Sequence, residues 1–383
     1  MLISFLKKIR KPNYQTLNII QISADRLSAN FRYLQSLQPN ATIIPVLKSN
    51  AYGHGLREIC QIIKKQDVKM VAVDSFPEAQ IVYRYFSGKV LILGEMPLDA
   101  YLYCRPNKTE FCVYNDETLK FLATKFFKPK IHLFVNTGMN REGIKDLPAF
   151  LERNKEIIKK VKVTGLCSHL ASADTDSYLN KKQEQNFINC LDILNSNKIY
   201  PNFVHLGNSA GAFILANPKL NSFRCGLSFY GYNPFPSESR YYEAAKALAP
   251  ALRVSSQVVS LQNIESGEEV SYNGTYHAEN KEKIAVIPFG YHEGLPRNLS
   301  NKFQFKVTSS PRSFWAASAG RICMNLSCLQ IGEEKIQIGN SVEIISWDKS
   351  ARNSLENLSR SANIIPYEFL VRLDSKIRRE VVK

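Results

Sequence analysis

The stretch that decides the fold lies between residues 42 and 55 and reads TIIPVLKSNAYGHG. Its first six residues form a largely apolar run, which predicts a buried strand. Lys48 ends that strand, and a turn of small residues follows, with Tyr52 four positions after the lysine. Burying an ammonium at a strand end is costly unless something uses it. A desolvated lysine can form a Schiff base with a carbonyl cofactor, whereas an ordinary lysine just past a strand lies at the surface.

The length and composition describe a globular protein. At 383 residues, the chain suits one large domain plus a smaller one. It has 44% hydrophobic and 11% aromatic residues, and no run of apolar residues is long enough for a membrane span. The apolar part of the N-terminus is too short for a signal peptide. We therefore expect a cytoplasmic protein with a basic leader.

The cysteines and the charge exclude two further classes. The eight cysteines form no Cys-x-x-Cys pair, which favours free thiols in a reducing compartment and argues against a metal site. The net charge of +16 would suit a nucleic-acid binder. However, the lysines are spread along the chain and no nucleic-acid module is visible, so we expect no nucleic-acid partner.

Apolar runs alternate with amphipathic segments through the first 235 residues. This order predicts a parallel (β/α)8 TIM-type barrel within residues 1–240, with its chemistry at the carboxyl ends of the strands. The predicted strands are 42–48, 69–74, 89–94, 110–114, 130–136, 161–168, 202–207 and 223–229. The predicted helical segments are 56–65, 76–86, 97–103, 115–126, 146–158, 178–196 and 209–216. Residues at or just after strand ends are Lys48, Asn136, Arg141, His169, Asn208 and Arg224.

The pattern changes after about residue 240. Short β-runs separated by turn signals predict a mainly β domain over residues 241–383, with two helical segments near its end. The predicted runs are 251–262, 268–272, 283–289, 303–308, 313–319 and 341–346, and the helical segments are 353–360 and 364–373.

Seven further motifs, like residues 46–55, resemble those of a known protein family. They are residues 132–143 (HLFVNTGMNREG), 165–174 (GLCSHLASAD), 205–210 (HLGNSA), 224–231 (RCGLSFYG), 270–276 (VSYNGTY), 287–291 (IPFGY) and 320–324 (GRICM). Together with residues 46–55 they resemble the alanine racemases, which are fold-type III pyridoxal-phosphate enzymes. The match runs from about residue 43 to 379, and its order and spacing make it specific.

Racemisation needs two bases on opposite faces of a planar carbanion and a cofactor that makes the carbanion accessible. The resemblance implies that Lys48 holds pyridoxal phosphate and serves one face, while Tyr272 serves the other. A free phenol has a pKa near 10, and His169, linked to Arg224, is the family's means of lowering it. For Tyr272 taken alone, the alternative is an exposed aromatic in a turn.

The resemblance also assigns the cofactor and substrate contacts. Arg224 would face the pyridine nitrogen, and the alternative is a salt bridge at the barrel rim. The implied cofactor contacts also include Tyr52, His169, Asn208, Ser209, Gly226 and Leu227; for Ser209 a helix N-cap is an alternative or additional role. The implied substrate contacts are Arg141, Met324 and Tyr291, and core packing is the alternative for Tyr291.

The chain departs from the family pattern at several positions. Phe134 stands where many relatives carry a carbamylated lysine, and Asn136 and Asn325 replace aspartates. Ser375 stands where some relatives carry a tyrosine at the cofactor site, so strictness for alanine is open. Five histidines have no predicted role: His54, His132, His205, His277 and His292.

The sequence thus predicts a cytoplasmic racemase of L- and D-alanine that supplies a cell-wall precursor. We expect a homodimer in which each β-rich domain completes the partner's active site. The nearest alternative is a serine or broad-specificity amino-acid racemase on the same scaffold. A fold-type III decarboxylase is disfavoured by Tyr272 and Arg224, and a non-catalytic cofactor carrier by the β-rich domain.

Overall fold

The computed structural model describes residues 15–125 and 127–383. The predicted basic leader therefore lies outside the described residues. The chain divides into two compact units. The barrel unit is Ile22–Leu252 with Val381–Lys383, and the β unit is Arg253–Glu380 with the described residues up to Gln21. That residues 1–240 bind the cofactor and residues 241–383 complete the partner's active site remains a prediction.

The first two described elements were not predicted. They are the strand β1 (Ile19–Ser23) and the helix α1 (Ala24–Leu37). The Ser23 hydroxyl caps α1 by accepting a hydrogen bond from Arg26 N at 3.3 Å. The apolar side of α1, with Leu27, Phe31 and Leu34, is buried.

Eight parallel strands form the barrel. They are β2 (Thr42–Pro45), β3 (Met70–Val73), β4 (Lys89–Ile92), β5 (Thr109–Val113), β6 (Lys130–Phe134), β7 (Lys162–Cys167), β8 (Phe203–His205) and β9 (Ser222–Cys225). Strands β3 to β8 pair in sequence order, and β2 pairs with β9. Bonds from Leu47 N to Ala72 O (2.7 Å) and from Asn221 N to Val204 O (3.1 Å) join the two remaining seams. The predicted barrel is confirmed.

Helices lie between the strands, where the amphipathic segments of the sequence predict them. Apart from the 3-10 helix Leu98–Tyr103, the helices are α2 (Leu56–Ile63), α3 (Phe76–Tyr85), α4 (Asp116–Ala123), α5 (Leu147–Arg153), α6 (Lys155–Ile158), α7 (Tyr178–Ser196), α8 (Gly211–Ile214) and α9 (Tyr242–Ala245). Side-chain caps from Asn115, Asp146 and Ser177 mark where α4, α5 and α7 begin. Phe126, the last residue of the predicted helical segment 115–126, lies outside the described residues.

The elements of the β unit are β10 (Leu252–Gln257), β11 (Ser260–Ile264), β12 (Glu269–Val270), β13 (Tyr276–His277), β14 (Glu282–Ile287), β15 (Gln304–Ser309), β16 (Arg312–Ser318), β17 (Ser327–Gln330), β18 (Ser341–Ile345), α10 (Leu355–Ala362), α11 (Pro366–Arg372) and β19 (Arg378–Val382). Nine strands form one sheet in the order β11-β14-β17-β16-β15-β18-β10-β1-β19, and β12 pairs with β13. The predicted mainly β character is confirmed. In the described part of the chain, no helix has the length and apolarity needed to cross a membrane.

Close packing inside the barrel gives a first test. A Cβ added at Gly165 would overlap the ring of His132, which is fully buried. We therefore expect Gly165→Ala to lower the free energy of unfolding by about 1–3 kcal/mol, as overpacking usually does. Urea unfolding measures this change. In the control, Gly211→Ala, the nearest contact of the new Cβ is an ordinary 3.5 Å, so an equal loss in both variants would contradict the prediction.

Candidate active site

Lys48 begins an unusual turn at the carboxyl end of β2. The next four residues, Ser49 to Tyr52, all have positive φ angles between 52° and 54°. Such left-handed backbone is strained in residues other than glycine. The turn projects Lys48 Nζ toward Asp74, at 3.3 Å from Oδ1. The Lys48 side chain is 40% exposed at the barrel mouth, so its ammonium is only partly removed from water.

Side chains from outside the turn hold it in place. The Glu78 carboxylate accepts hydrogen bonds from Ser49 N at 2.6 Å and from Asp74 N at 2.9 Å. The Asn50 side chain accepts one from Leu56 N at 2.9 Å, which ties the turn to the start of α2. The strained backbone is therefore fixed by charge-assisted and neutral hydrogen bonds.

Arg224 lies inside the barrel and is 5% exposed. Its Nη1 donates to the carbonyl of His205 at 2.7 Å and lies 2.6 Å from His205 Nδ1. Its Nη2 donates to the carbonyl of Ser168 at 2.6 Å and lies 3.3 Å from His169 Nδ1. The predicted link between Arg224 and His169 is therefore present, whereas the alternative of a salt bridge at the rim is wrong because all these partners are neutral acceptors.

His169 is held as a neutral imidazole. Burial lowers the pKa of His169, and the positive charges of Arg224, Arg141 and Lys48 lower it further, to about 3. Arg141 and Lys48 thus act electrostatically on the same group. A neutral ring with Nδ1 facing the guanidinium leaves Nε2 as its N–H donor.

Three side chains extend this site into the barrel and were missed by sequence reasoning. His205 Nε2 lies 2.7 Å from His132 Nδ1, and His132 Nε2 lies 3.0 Å from Glu110 Oε2. All three side chains are at most 1% exposed. The available signal was the presence of ionisable residues within otherwise apolar strands. Among residues 15–125 and 127–383, no three His, Cys, Asp or Glu side chains are placed to hold a metal ion.

The turn after β9 forms a cradle of bare backbone. The Ser209 hydroxyl accepts hydrogen bonds from Gly226 N at 3.0 Å and Ser228 N at 3.2 Å. A Cβ at Gly226 would lie 2.5 Å from the Tyr52 hydroxyl oxygen, so the close approach requires glycine. Leu227, between them, is buried. Hydroxyls and backbone N–H groups therefore meet where phosphate contacts were predicted.

Ser209 does not cap a helix. The side chain of Asn208 instead accepts a hydrogen bond from Gly211 N at 3.0 Å, at the start of α8. The N-cap alternative for Ser209 is therefore wrong, because its oxygen faces the turn after β9. The cap role falls to the neighbouring Asn208.

Arg141 is held by its neighbour in sequence. Its Nε and Nη2 donate to Glu142 Oε1 at 3.1 and 2.7 Å. Asn136 accepts hydrogen bonds from Gly138 N and Asn140 N at 3.0 and 3.2 Å, and so shapes the loop that carries Arg141. Phe134, at the position of the family's lysine, packs in the apolar barrel core. Glu142 and Asn136 thus fix Arg141 in this chain.

Tyr272 lies in the β unit on a strained turn. The preceding Ser271 has a φ of 67° and donates its hydroxyl to the carbonyl of Arg321 at 2.6 Å. Asn273 also has a positive φ, of 61°. The Tyr272 side chain is 63% exposed, which is compatible with both the catalytic prediction and the surface-turn alternative.

A cavity of about 790 Å³ lies beside Tyr272 in the β unit. Its lining includes Tyr291, Arg297 and Arg372. Tyr291 is 43% exposed, so the core-packing alternative for this residue is wrong. Met324 is also exposed, and its carbonyl accepts a hydrogen bond from His292 N at 2.9 Å.

The structure explains why an amide rather than a carboxylate stands at position 325. Its Nδ2 donates to Glu293 Oε1 at 2.8 Å, and Glu293 Oε2 accepts from Gly290 N at 2.7 Å. An aspartate at position 325 would place two carboxylates together. Ser375, by contrast, is exposed, and its carbonyl accepts a hydrogen bond from Arg379.

Comparisons with known proteins agree over nearly the whole length. Residues 22–234 match the family model for the alanine racemase N-terminal domain, and residues 251–381 match the one for the C-terminal domain. The chain is 30% identical to an alanine racemase from Staphylococcus carnosus, over 97% of this chain and 95% of that one. An alanine racemase structure from Clostridium difficile superposes with a TM-score of 0.86 at 25% identity, over 97% of both chains. A structure from Bartonella henselae, with covalently bound pyridoxal phosphate, superposes at 0.83 and 24% identity, over 96% of this chain and 100% of that one.

The buried imidazoles predict a pH dependence of stability. Burial lowers the folded-state pKa of His132, His169 and His205 below 6.5. Below that pH the unfolded chain binds protons that the native chain does not. The stability is therefore complete above pH 6.5 and is lost as the pH falls, by up to about 1.4 kcal/mol per pH unit for each histidine.

Urea unfolding between about pH 7.5 and about pH 5.5 measures this loss, above the range where carboxylates titrate. His169→Asn should reduce the loss, since it removes one of the groups whose pKa is lowered by folding. The control is His277→Asn, because His277 is exposed. An unchanged slope in His169→Asn, or an equal change in the control, would contradict the prediction.

Proposed function

Because this chain belongs to the alanine racemase family, we propose that it is a pyridoxal-phosphate-dependent racemase that interconverts L- and D-alanine. The observation that carries this proposal is the set of groups at the barrel mouth. A lysine amine, a buried arginine bonded to a neutral histidine, and a bare-backbone cradle lie at the carboxyl ends of β2, β7 and β9. Such ends carry the chemistry of this fold.

The residues at the mouth fit pyridoxal phosphate. Lys48 offers an accessible amine, and the Bartonella henselae relative holds this cofactor covalently. In the cradle of Gly226, Leu227 and Ser209, the Ser209 hydroxyl accepts from Gly226 N and keeps its own proton to donate to a phosphate. The Tyr52 hydroxyl lies beside Gly226 as a second donor of the same kind. Asn208 fixes the start of the adjacent α8. When bound, the cofactor supplies the electron sink that makes an amino acid's α-proton removable.

Arg224 and His169 set the polarity of this site. A guanidinium is donor-only and keeps its protons, so Arg224 can hydrogen-bond the cofactor's ring nitrogen without protonating it. This restrains the electron sink and favours return of the α-proton over side reactions. Neutral His169 can donate its Nε2 proton to a phenolate and so stabilise a tyrosine base.

Two bases then move the α-proton. Lys48 accepts or returns it on one face of the substrate, and Tyr272 does so on the other. Arg141, which is paired with Glu142, would bind the alanine carboxylate. The backbone N–H of Met324 and the Tyr291 ring complete the proposed substrate contacts. Which amino acids the pocket accepts besides alanine depends on the space at Ser375.

The exposure of Tyr272 supports a shared site. A base that is 63% exposed has room to enter another subunit, and closed two-fold pairing is the commonest oligomer. We therefore propose a homodimer in which residues 1–240 bind the cofactor and residues 241–383 complete the partner's site. The eight free cysteines support a reducing, cytoplasmic location, where D-alanine would serve as a peptidoglycan precursor.

The cofactor assignment predicts a coloured protein. Incubation with pyridoxal phosphate should turn it yellow, and borohydride should then fix the label on Lys48. Peptide mass mapping identifies the labelled residue. Lys48→Ala should lose the colour, whereas the control Lys69→Ala, which alters an exposed lysine, should keep it. A label on another lysine would refute the assignment.

The shared site predicts complementation. Lys48→Ala and Tyr272→Phe should each lose about 10²-fold or more in racemisation rate, because each lacks one positioned base. After subunit exchange, their heterodimers hold one doubly defective site and one intact site, so activity should return. The control mixes Lys48→Ala with Tyr200→Phe, which alters an exposed tyrosine of the barrel unit and should show full activity alone. Confirmed exchange without recovery would refute the shared site.

A further inference from the structure

A line of ionisable side chains runs through the barrel from Arg224 to Lys89. From Arg224 it passes through His205, His132 and Glu110, with contacts of 2.6, 2.7 and 3.0 Å. Lys89 Nζ then lies 3.0 Å from Glu110 Oε1, and its own side chain is 43% exposed. The proposed two-base chemistry uses Arg224 but gives no role to the rest of this line.

The chemistry of the two ends determines every proton between them. Arg224 can donate and cannot accept, so His205 Nδ1 must be the acceptor. The proton of neutral His205 is then on Nε2 and is donated to His132 Nδ1. His132 in turn carries its proton on Nε2, which must be donated to the last group in the line.

Glu110 is suited to receive that proton. As a carboxylate it is acceptor-only, and it also accepts a hydrogen bond from Thr164 Oγ1 at 2.6 Å. Burial by itself would raise the pKa of Glu110, but the hydrogen bonds from His132, Thr164 and Lys89 lower it below its usual value. Glu110 is 1% exposed, and a buried carboxylate persists only when it is paired in this way.

We propose that Glu110 is a positioning residue for Arg224, and that it acts through His132 and His205 by fixing both imidazoles as neutral Nε2–H forms. Each ring then presents a lone pair toward Arg224, and the guanidinium keeps one orientation. Only the expected effect of the Arg224 orientation on racemisation rests on the proposed function. The proton order itself is a property of the chain alone.

The first experiment reads the proton order without cofactor. Nitrogen-15 NMR of the full chain with labelled histidine and arginine should show His132 and His205 neutral, with their protons on Nε2, from about pH 6 to about pH 9. The Arg224 N–H signals should be resolved, as expected for a guanidinium that does not rotate. A charged ring, or a proton on Nδ1 of either histidine, would overturn the proposal.

The second experiment changes Glu110. In Glu110→Leu, His132 loses its acceptor, so its Nε2 proton signal should move upfield and the Arg224 signals should average by rotation. Glu110→Gln keeps an acceptor oxygen but not the charge, so the proton order should remain and the signals should shift less. The control is Asp116→Asn, which removes a carboxylate that pairs with Arg153 on α5. Arg224 signals that stay resolved in Glu110→Leu would overturn the proposal, and if this variant does not fold, unshifted signals in Glu110→Gln would do so.

Kinetics separates positioning from general stability. Glu110→Leu should lower kcat about tenfold, the usual size of effect when a group that orients a site residue is removed. KM should change less than about twofold, since the substrate carboxylate is held elsewhere. Asp116→Asn should leave both unchanged. A kcat equal to that of the wild type in both folded Glu110 variants would overturn the positioning role. A wild-type protein without racemase activity would instead refute the proposed function. The NMR result would then still decide the proton order.

Discussion

The left-handed turn at residues 49–52 is the constraint on which the barrel mouth depends. Four residues with positive φ cost about 1–2 kcal/mol each, so the surrounding contacts must compensate. The turn places Tyr52 against Gly226 across the seam between β2 and β9. Tyr230 donates to the carbonyl of Val46 at 2.9 Å at the same seam. Barrel closure and the direction of Lys48 therefore depend on the same contacts.

The buried guanidinium of Arg224 organises the opposite side of the mouth. Its hydrogen bonds reach residues that follow or belong to β7 and β8, so three consecutive strands end around one positive charge. The groups that accept its hydrogen bonds are neutral, and the carboxylate of Glu110 lies two imidazoles away from it. These hydrogen bonds hold the guanidinium in one orientation while it keeps its charge.

Much of this architecture could be predicted, because strands buried on both faces read as continuous apolar runs. The motifs likewise indicated the Lys48 and Arg224 positions. The strand β1 was missed because it is short and joins a sheet whose other strands are distant in sequence. His132 and His205 were left without a role, because ionisable residues within apolar strands indicate a buried polar group but not which side chains it contacts. The N-cap alternative for Ser209 and the core alternative for Tyr291 were wrong because local sequence does not encode tertiary partners.

The directional line of donors and acceptors has a consequence for how such a barrel can evolve. If a carboxylate replaced Arg224, His205 would have to donate from Nδ1, and His132 would have to turn its proton toward His205. Glu110 would then face a lone pair and would itself need a proton or a replacement by a donor. The donor or acceptor character of the residue at one end of this line therefore determines which character suits the residue at the other end.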